Sequence, residues 1–268
     1  MDDDGTLRSA AGVTSDYGHE FFASDGLERL RAAYGRGDLP VLPDPGRIGA
    51  CISRPGKIVC VGLNYIDHAA EAGMTLPDEP LTFLKAPSSL SGPHDDLPLP
   101  IGGEKTDWEV EVGVVIGRTA RYLPDEASAL ATIAGYCVSN DVSERHFQLE
   151  RGGQWSKGKS AEGFNPLGPW LVTPDEDLDF DDLALELRVN GEVRQQSTTR
   201  SMVFSIARII HYVSQFMVLE PGDLINTGTP PGTGMGLTPP VYLREGDVVE
   251  TMIEGLGSQR QVCVRAVR

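Results

Sequence analysis

The residues best placed to do chemistry lie in TDWEVEVGVVIG, Thr106 to Gly117. Glu109 and Glu111 are two apart, and residues two apart on a strand share a face. Trp108, Val110 and Val112 then line the opposite face. Two carboxylates fixed side by side repel unless a positive charge sits between them. A hard divalent cation with oxygen ligands meets that need. The plainer alternative is a half-buried strand showing solvated glutamates, since alternation is the ordinary pattern of an antiparallel sheet.

A second group lies in GLNYIDHAAEAG. The Ala-rich run predicts a short helix with Gly73 just past its C-terminus. His68 and Glu71, three apart, are then neighbours on one face. A histidine beside a carboxylate is the minimal general-base unit, because the carboxylate fixes the tautomer and stabilises the imidazolium. A solvated surface pair is the alternative. The following MTLPDEP holds two prolines and no periodicity, which makes the helix a candidate flap. Asp141 ends the apolar strand AGYCVSND and precedes a helix start in VSERHFQLERGG. At a strand's C-terminal end it is either a functional carboxylate or a helix N-cap. Lys85 closes the strand in LTFLKAPSSL.

Gly153 to Ser160, GGQWSKGKS without its first glycine, satisfies the G-x-x-x-x-G-K-S phosphate-loop pattern. That pattern works only where a buried strand enters the loop and a helix leaves it. Here the preceding HFQLERG is polar and helix-like, and the following AEGFNPLGP carries prolines that no such helix tolerates. The phosphate-loop reading is rejected. Lys157 and Lys159 remain as local cations in an acidic chain.

These groups need elements to hold them. KIVCVGLNY is an apolar strand without alternation, consistent with burial on both faces. LALELRVNGEVRQ alternates around Asn190-Gly191, a type I′ hairpin signal. In SIARIIHYVSQFMVL, residues Ile206, Ile209, Ile210, Val213, Phe216 and Met217 fall at helical spacing and predict a core-packing helix. EPGDLINTGTPPGTGMG reads as a turn, a strand and a Gly/Pro loop, and the C-terminus as short strands. Strands are many and helices few, so the fold class is α+β, β-rich, and not doubly wound. Residues 1–50 are rich in Gly, Pro and charge and read as a small N-terminal appendage and linker, with residues 51–268 as the main domain.

The chain has 268 residues, 40% of them hydrophobic and 23% charged, which are globular values. A formal net charge of −16 argues against nucleic acid and against an anionic membrane surface. It does not exclude a small anionic ligand, since local cations can reverse the sign within a cleft. Cys51, Cys60, Cys137 and Cys263 are far apart, which excludes a zinc ribbon and fits a reducing compartment. The acidic start MDDDGTLRSAAG is no signal peptide, and no apolar run approaches a membrane span. A cytoplasmic location is expected.

Together GLNYIDHAAE, FLKAPSSL, WEVEVGVVIG, SNDVSER, WSKGKS with Phe164, RVNGEVRQ and EPGDLINTGTPPG resemble the fumarylacetoacetate hydrolase (FAH) superfamily, in the family's order and over most of the chain. The resemblance implies a mixed β-sandwich roll with flanking helices, and a homodimer. It implies Glu109, Glu111 and Asp141 as ligands of Mg²⁺ or Mn²⁺, which suits an all-carboxylate set. His68 and Glu71 look like the catalytic dyad on a lid, and Lys159 like the lysine near developing negative charge. Arg145, Gln148 and Thr229 fall on substrate-contacting positions, with Lys85 nearby. His146 departs from the Asp that many members carry there.

What the resemblance implies for activity is hydrolysis of the C3–C4 bond of a 2,4-diketo acid to pyruvate and a carboxylic acid. The nearest look-alikes act on 2,4-diketo-3-deoxy sugar acids. The same site also supports oxaloacetate decarboxylation and isomerisation of 2-hydroxyhepta-2,4-diene-1,7-dioate. A non-catalytic metal-binding protein is the reading from a different class.

Overall fold

A computed structural model describes residues 5–66 and 76–268. Its strands of three residues or more are β1 (Ile58–Gly62), β2 (Leu81–Lys85), β3 (Leu97–Leu99), β4 (Val110–Ile116), β5 (Ile133–Asn140), β6 (Ala184–Val189), β7 (Glu192–Thr198), β8 (Leu224–Asn226), β9 (Val248–Ile253) and β10 (Gly257–Arg265). Among the described residues they form two five-stranded sheets, in the orders β2-β1-β8-β4-β5 and β7-β6-β9-β10-β3. Both sheets are mixed. β1 runs parallel to β8, and β10 parallel to β3, while the other neighbours are antiparallel. This is the β-rich α+β architecture expected from the sequence.

The sheets face each other across an apolar core. Val59, Val61, Val110, Val112, Val114 and Val138 from the first meet Leu185, Leu187, Val249 and Ile253 from the second. The opposite face of the first sheet is apolar too. Ile58, Cys60, Val115, Cys137 and Leu224 pack there with Phe21, Phe22 and Ile52. Burial on both sides explains why β1 reads as a continuous apolar run. Phe21 and Phe22 come from helix α1 (His19–Ala23), which precedes α2 (Gly26–Gly35).

Among the described residues, α3 (Glu126–Leu130), α4 (Ser156–Lys159) and α5 (Ile206–Val213) flank the sheets. Ser205 caps α5 by accepting from the Arg208 N–H, and Ile206, Ile209, Ile210 and Val213 are buried as their spacing predicts. The helix stops there, however. Phe216 lies beyond its last turn, 67% exposed, so it takes no part in the core. The Asn190-Gly191 turn does join β6 to β7, with φ of 54° and 79°. Positive φ at both central residues is the type I′ requirement.

Two other expectations need correction. The run Thr106–Gly117 is not one strand. Thr106–Asp107 pairs with Ser143–Glu144, and β4 begins only at Val110. The cause is side-chain capture of backbone donors: the Trp108 N–H donates to Asp107 Oδ1 at 2.9 Å, and the Glu109 N–H to Asn140 Oδ1 at 3.0 Å. The helix expected from Val142 onward is a single π-helical turn, His146–Glu150, which follows that short strand.

Candidate active site

The first sheet and its connections converge on a buried group of acids. Glu111 lies on β4, Glu109 just before it, and Asp141 at the C-terminal end of β5. The Asp141 N–H donates to the Glu109 carbonyl at 2.9 Å, which ties the two segments together. One carboxylate oxygen from each of Glu109, Glu111 and Asp141 lies within 4.8 Å of the others. All three side chains are buried. Glu109 and Glu111 are therefore not solvated glutamates, and Asp141 is not an N-cap.

Three buried cations hold the acids in place. Lys85, at the end of β2, pairs with Asp141 Oδ1 and donates to the Phe164 carbonyl at 2.6 Å and the Val142 carbonyl at 3.3 Å. Lys159, the last residue of α4, bridges Glu109 Oε2 at 2.7 Å and Asp141 Oδ2 at 2.8 Å. Arg145 pairs with Asp107 Oδ2 at 2.8 Å and Glu109 Oε1 at 2.6 Å, and donates to Gln148 Oε1 at 3.0 Å. The lysine of the rejected phosphate loop is thus used as a counter-ion to carboxylates.

Glu111 is held differently. It accepts from the Gly228 N–H at 2.8 Å and has no ion pair among the described residues. That close approach requires glycine, because φ at 228 is +99° and a Cβ there would sit 2.7 Å from the Asn64 Cβ. Burial, then the charges of Asp141 and Glu109, pushes the Glu111 carboxyl well above its ordinary range, against the opposing pull of Lys159 and the Gly228 N–H. Burial alone lowers the Lys159 ammonium, but Asp141 and Glu109 outweigh it and hold it charged. Arg145 is likewise held charged by Asp107 and Glu109 against the effect of burial.

The donor set fits a divalent metal. It is all carboxylate, buried and convergent, and among the described residues Glu111 has no cationic partner. Hard oxygen ligands of this kind suit Mg²⁺ or Mn²⁺. The three carboxylates can therefore hold a metal ion.

A cavity of about 260 Å³ opens beside this group, with Glu109, Glu111, Arg145, Gln148, Lys159 and Thr229 in its lining. Of the residues expected to contact substrate, Arg145, Gln148 and Thr229 line this cavity, whereas Lys85 does not and is paired with Asp141. The Thr229 hydroxyl is already engaged, donating to the Val110 carbonyl at 2.9 Å and accepting from Gln195 Nε2 at 2.8 Å. His146 is not part of this lining. His68 and Glu71 lie outside the described residues.

Sequence reasoning missed Asp107, Gln195 and the apolar lining residues. Asp107 receives the Arg145 guanidinium and the Trp108 and Gly234 N–H groups, so it fixes both Glu109's partner and the Gly/Pro loop. The period-two pattern that picked out Glu109 and Glu111 also includes Asp107. Gln195, which accepts from the Val110 N–H, gave no comparable signal.

Residues 57–264 match the fumarylacetoacetate (FAA) hydrolase C-terminal family. A Burkholderia multivorans protein that carries a hydrolase name without a stated substrate is 52% identical over 269 residues, covering 100% of this chain and 94% of that protein. The structure of a fumarylacetoacetate hydrolase from psychrophilic Exiguobacterium antarcticum is similar at 40% identity and a TM-score of 0.78, covering 86% of this chain and 83% of that one. A 2-hydroxyhepta-2,4-diene-1,7-dioate isomerase from Mycobacterium marinum is similar at 35% identity and a TM-score of 0.71, covering 87% and 80%. With a family match over most of its length and a convergent acidic site, this chain belongs to the fumarylacetoacetate hydrolase superfamily of hydrolases and isomerases.

Proposed function

We propose that the chain is a divalent-metal-dependent hydrolase that cleaves the C3–C4 bond of an acylpyruvate, giving pyruvate and a carboxylic acid. The observation that carries this reading is the convergence of Glu109, Glu111 and Asp141, with the two glutamates lining a small cavity and the Lys159 ammonium across Glu109 and Asp141.

Mg²⁺ or Mn²⁺ held by those three carboxylates supplies Lewis acidity where negative charge develops on a bound 2-oxo acid. The rest is the work of the chain. Lys85 fixes Asp141, and Arg145 fixes Glu109 and Gln148, so the acids meet the ligand without rearranging. Lys159, held protonated, donates to the oxygen that gains charge. His68, oriented by Glu71, takes a proton from water, whose oxygen adds to C4. The C3–C4 bond then breaks, its electron pair passes to C3, and the pyruvate enolate takes up a proton. Gln148, Arg145 and Thr229 border the substrate. In this reading the enzyme works in the cytoplasm as a homodimer. Among the described residues, no helix is long and apolar enough to cross a membrane.

The name of the Mycobacterium marinum neighbour supports isomerisation of a dienedioate as the second reading. Decarboxylation of oxaloacetate uses the same site without a base-activated water. One panel separates hydrolase, decarboxylase and non-catalytic binder: pyruvate release from several acylpyruvates and from oxaloacetate, with and without EDTA. Acylpyruvate cleavage that EDTA abolishes is the expected result. Cleavage of oxaloacetate alone, or of nothing, overturns the hydrolase reading.

A further inference from the structure

The cavity has two chemically different walls. Every polar lining side chain belongs to the acid group or borders it. The remainder is Val61, Leu63, Phe83, Leu149, Trp155 and Met235. The Phe83 and Trp155 rings meet edge-on, with centroids 5.3 Å apart and planes at 69°. Gly62 makes room for this arrangement, because a Cβ there would lie 2.9 Å from the Trp155 indole. The Lys159 ammonium sits 5.2 Å over the Phe83 ring, so the charged floor passes directly into the apolar wall.

Among the described residues lining the cavity, no cation is left for a second anionic group. Among the described residues lining the cavity, the cations are Arg145 and Lys159. The three guanidinium nitrogens of Arg145 face Asp107, Glu109 and Gln148, and Lys159 spans Glu109 and Asp141. The segment outside the described residues, DHAAEAGMT at 67–75, contains no Lys or Arg. A metal on the acids would supply charge for the 2-oxo acid end alone. A carboxylate at the far end of the substrate would enter an apolar wall beside buried acids, unpaired, which is strongly unfavourable. A row of hydroxyls would lose its water there without replacement partners.

We infer that Phe83, Leu149 and Trp155 select acylpyruvates whose acyl group is apolar, alkyl or aryl, and reject those with a second carboxylate or a polyhydroxylated tail. This rests on the acylpyruvate reading above, and it sets the chain apart from enzymes of dioates and of sugar-derived diketo acids.

The test has a binding arm and a turnover arm, so that the two readings fail separately. In the binding arm, calorimetry with Mn²⁺ present compares 2-oxohexanoate with 2-oxoadipate, which differ at the tail and lack the bond to be cleaved. 2-Oxohexanoate should bind on the order of tenfold or more tighter, as expected for an unpaired carboxylate in an apolar wall. In the turnover arm, kcat/KM for pentanoylpyruvate and benzoylpyruvate should exceed that for succinylpyruvate and for a trihydroxylated 2,4-diketo acid. Leu149 is 44% exposed, so Leu149→Lys should fold, and it should narrow the tail-carboxylate penalty in both arms. Trp155→Ala should lower kcat/KM for benzoylpyruvate more than for acetylpyruvate. Equal, reversed or absent binding of the two 2-oxo acids overturns the inference, as does a preference for succinylpyruvate. If the binding order holds while no acylpyruvate releases pyruvate, the hydrolase reading falls and the pocket inference stands.

Discussion

Two regions of the molecule are buried to a similar depth and held together by opposite means. Between the sheets, Val59, Val112, Leu187 and Ile210 pack as plain hydrocarbon. At the site, Glu109, Asp141, Lys85, Lys159 and Arg145 are as deeply buried and are held by charge. The core tolerates exchange of one hydrocarbon for another of similar size. Losing a single charge at the site is costly, because it leaves a partner buried and unpaired. Such a region contributes little to net stability and much to the placement of functional groups. The difference shows which of the two was shaped by chemistry.

That contrast can be broken in several ways. The largest effect belongs to His68→Ala, which should leave metal affinity intact and lower kcat by ~10²–10⁴-fold, the usual contribution of a general base. Full kcat with every acylpyruvate tested would remove His68 from the mechanism. Lys159→Met removes one buried partner and should cost the metal-free protein about 3–5 kcal/mol in chemical denaturation. Saturating Mn²⁺ should return much of that loss, since the cation replaces the missing charge. In the core, Ile210→Ala should cost about 2–5 kcal/mol through the cavity it leaves. Unlike the lysine variant, it should be indifferent to Mn²⁺. If the two variants respond alike to metal, the distinction between the regions is lost.

The smallest effect is a pH dependence. Burial and the neighbouring acids raise the folded-state pKa of Glu111 above its unfolded value. In the metal-free protein, the stability linked to neutral Glu111 is present at low pH and lost as pH rises through the raised value. Ionised Glu111 is the form that binds a cation, so the rise in Tm given by Mn²⁺ should grow with pH over that window. A metal-induced shift in Tm that is flat or falls with pH contradicts this electrostatic account.

Much of this was legible in the sequence, for reasons that can be traced. Period-two spacing placed Glu109 and Glu111 together, although Trp108 and Glu109 leave the ladder, because the alternation survives the break in the strand. Helical spacing found Ile206, Ile209, Ile210 and Val213 but overran to Phe216, since apolar periodicity does not mark where a helix stops. Asp141 was ambiguous by itself. Only the family resemblance favoured a ligand over an N-cap, because its partners Lys85 and Lys159 lie 56 and 18 residues away in the chain. The apolar wall was not legible at all. Phe83 and Trp155 look like ordinary core residues until the fold brings them to one side of the cavity.

The account depends most on one cation shared by the three carboxylates. A calorimetric titration of the metal-free chain with Mn²⁺, set beside Glu111→Gln and Asp141→Asn, tests this directly. The account predicts one ion bound per wild-type chain, with binding lost in both variants while each keeps a cooperative unfolding transition. Wild-type affinity in either folded variant contradicts it.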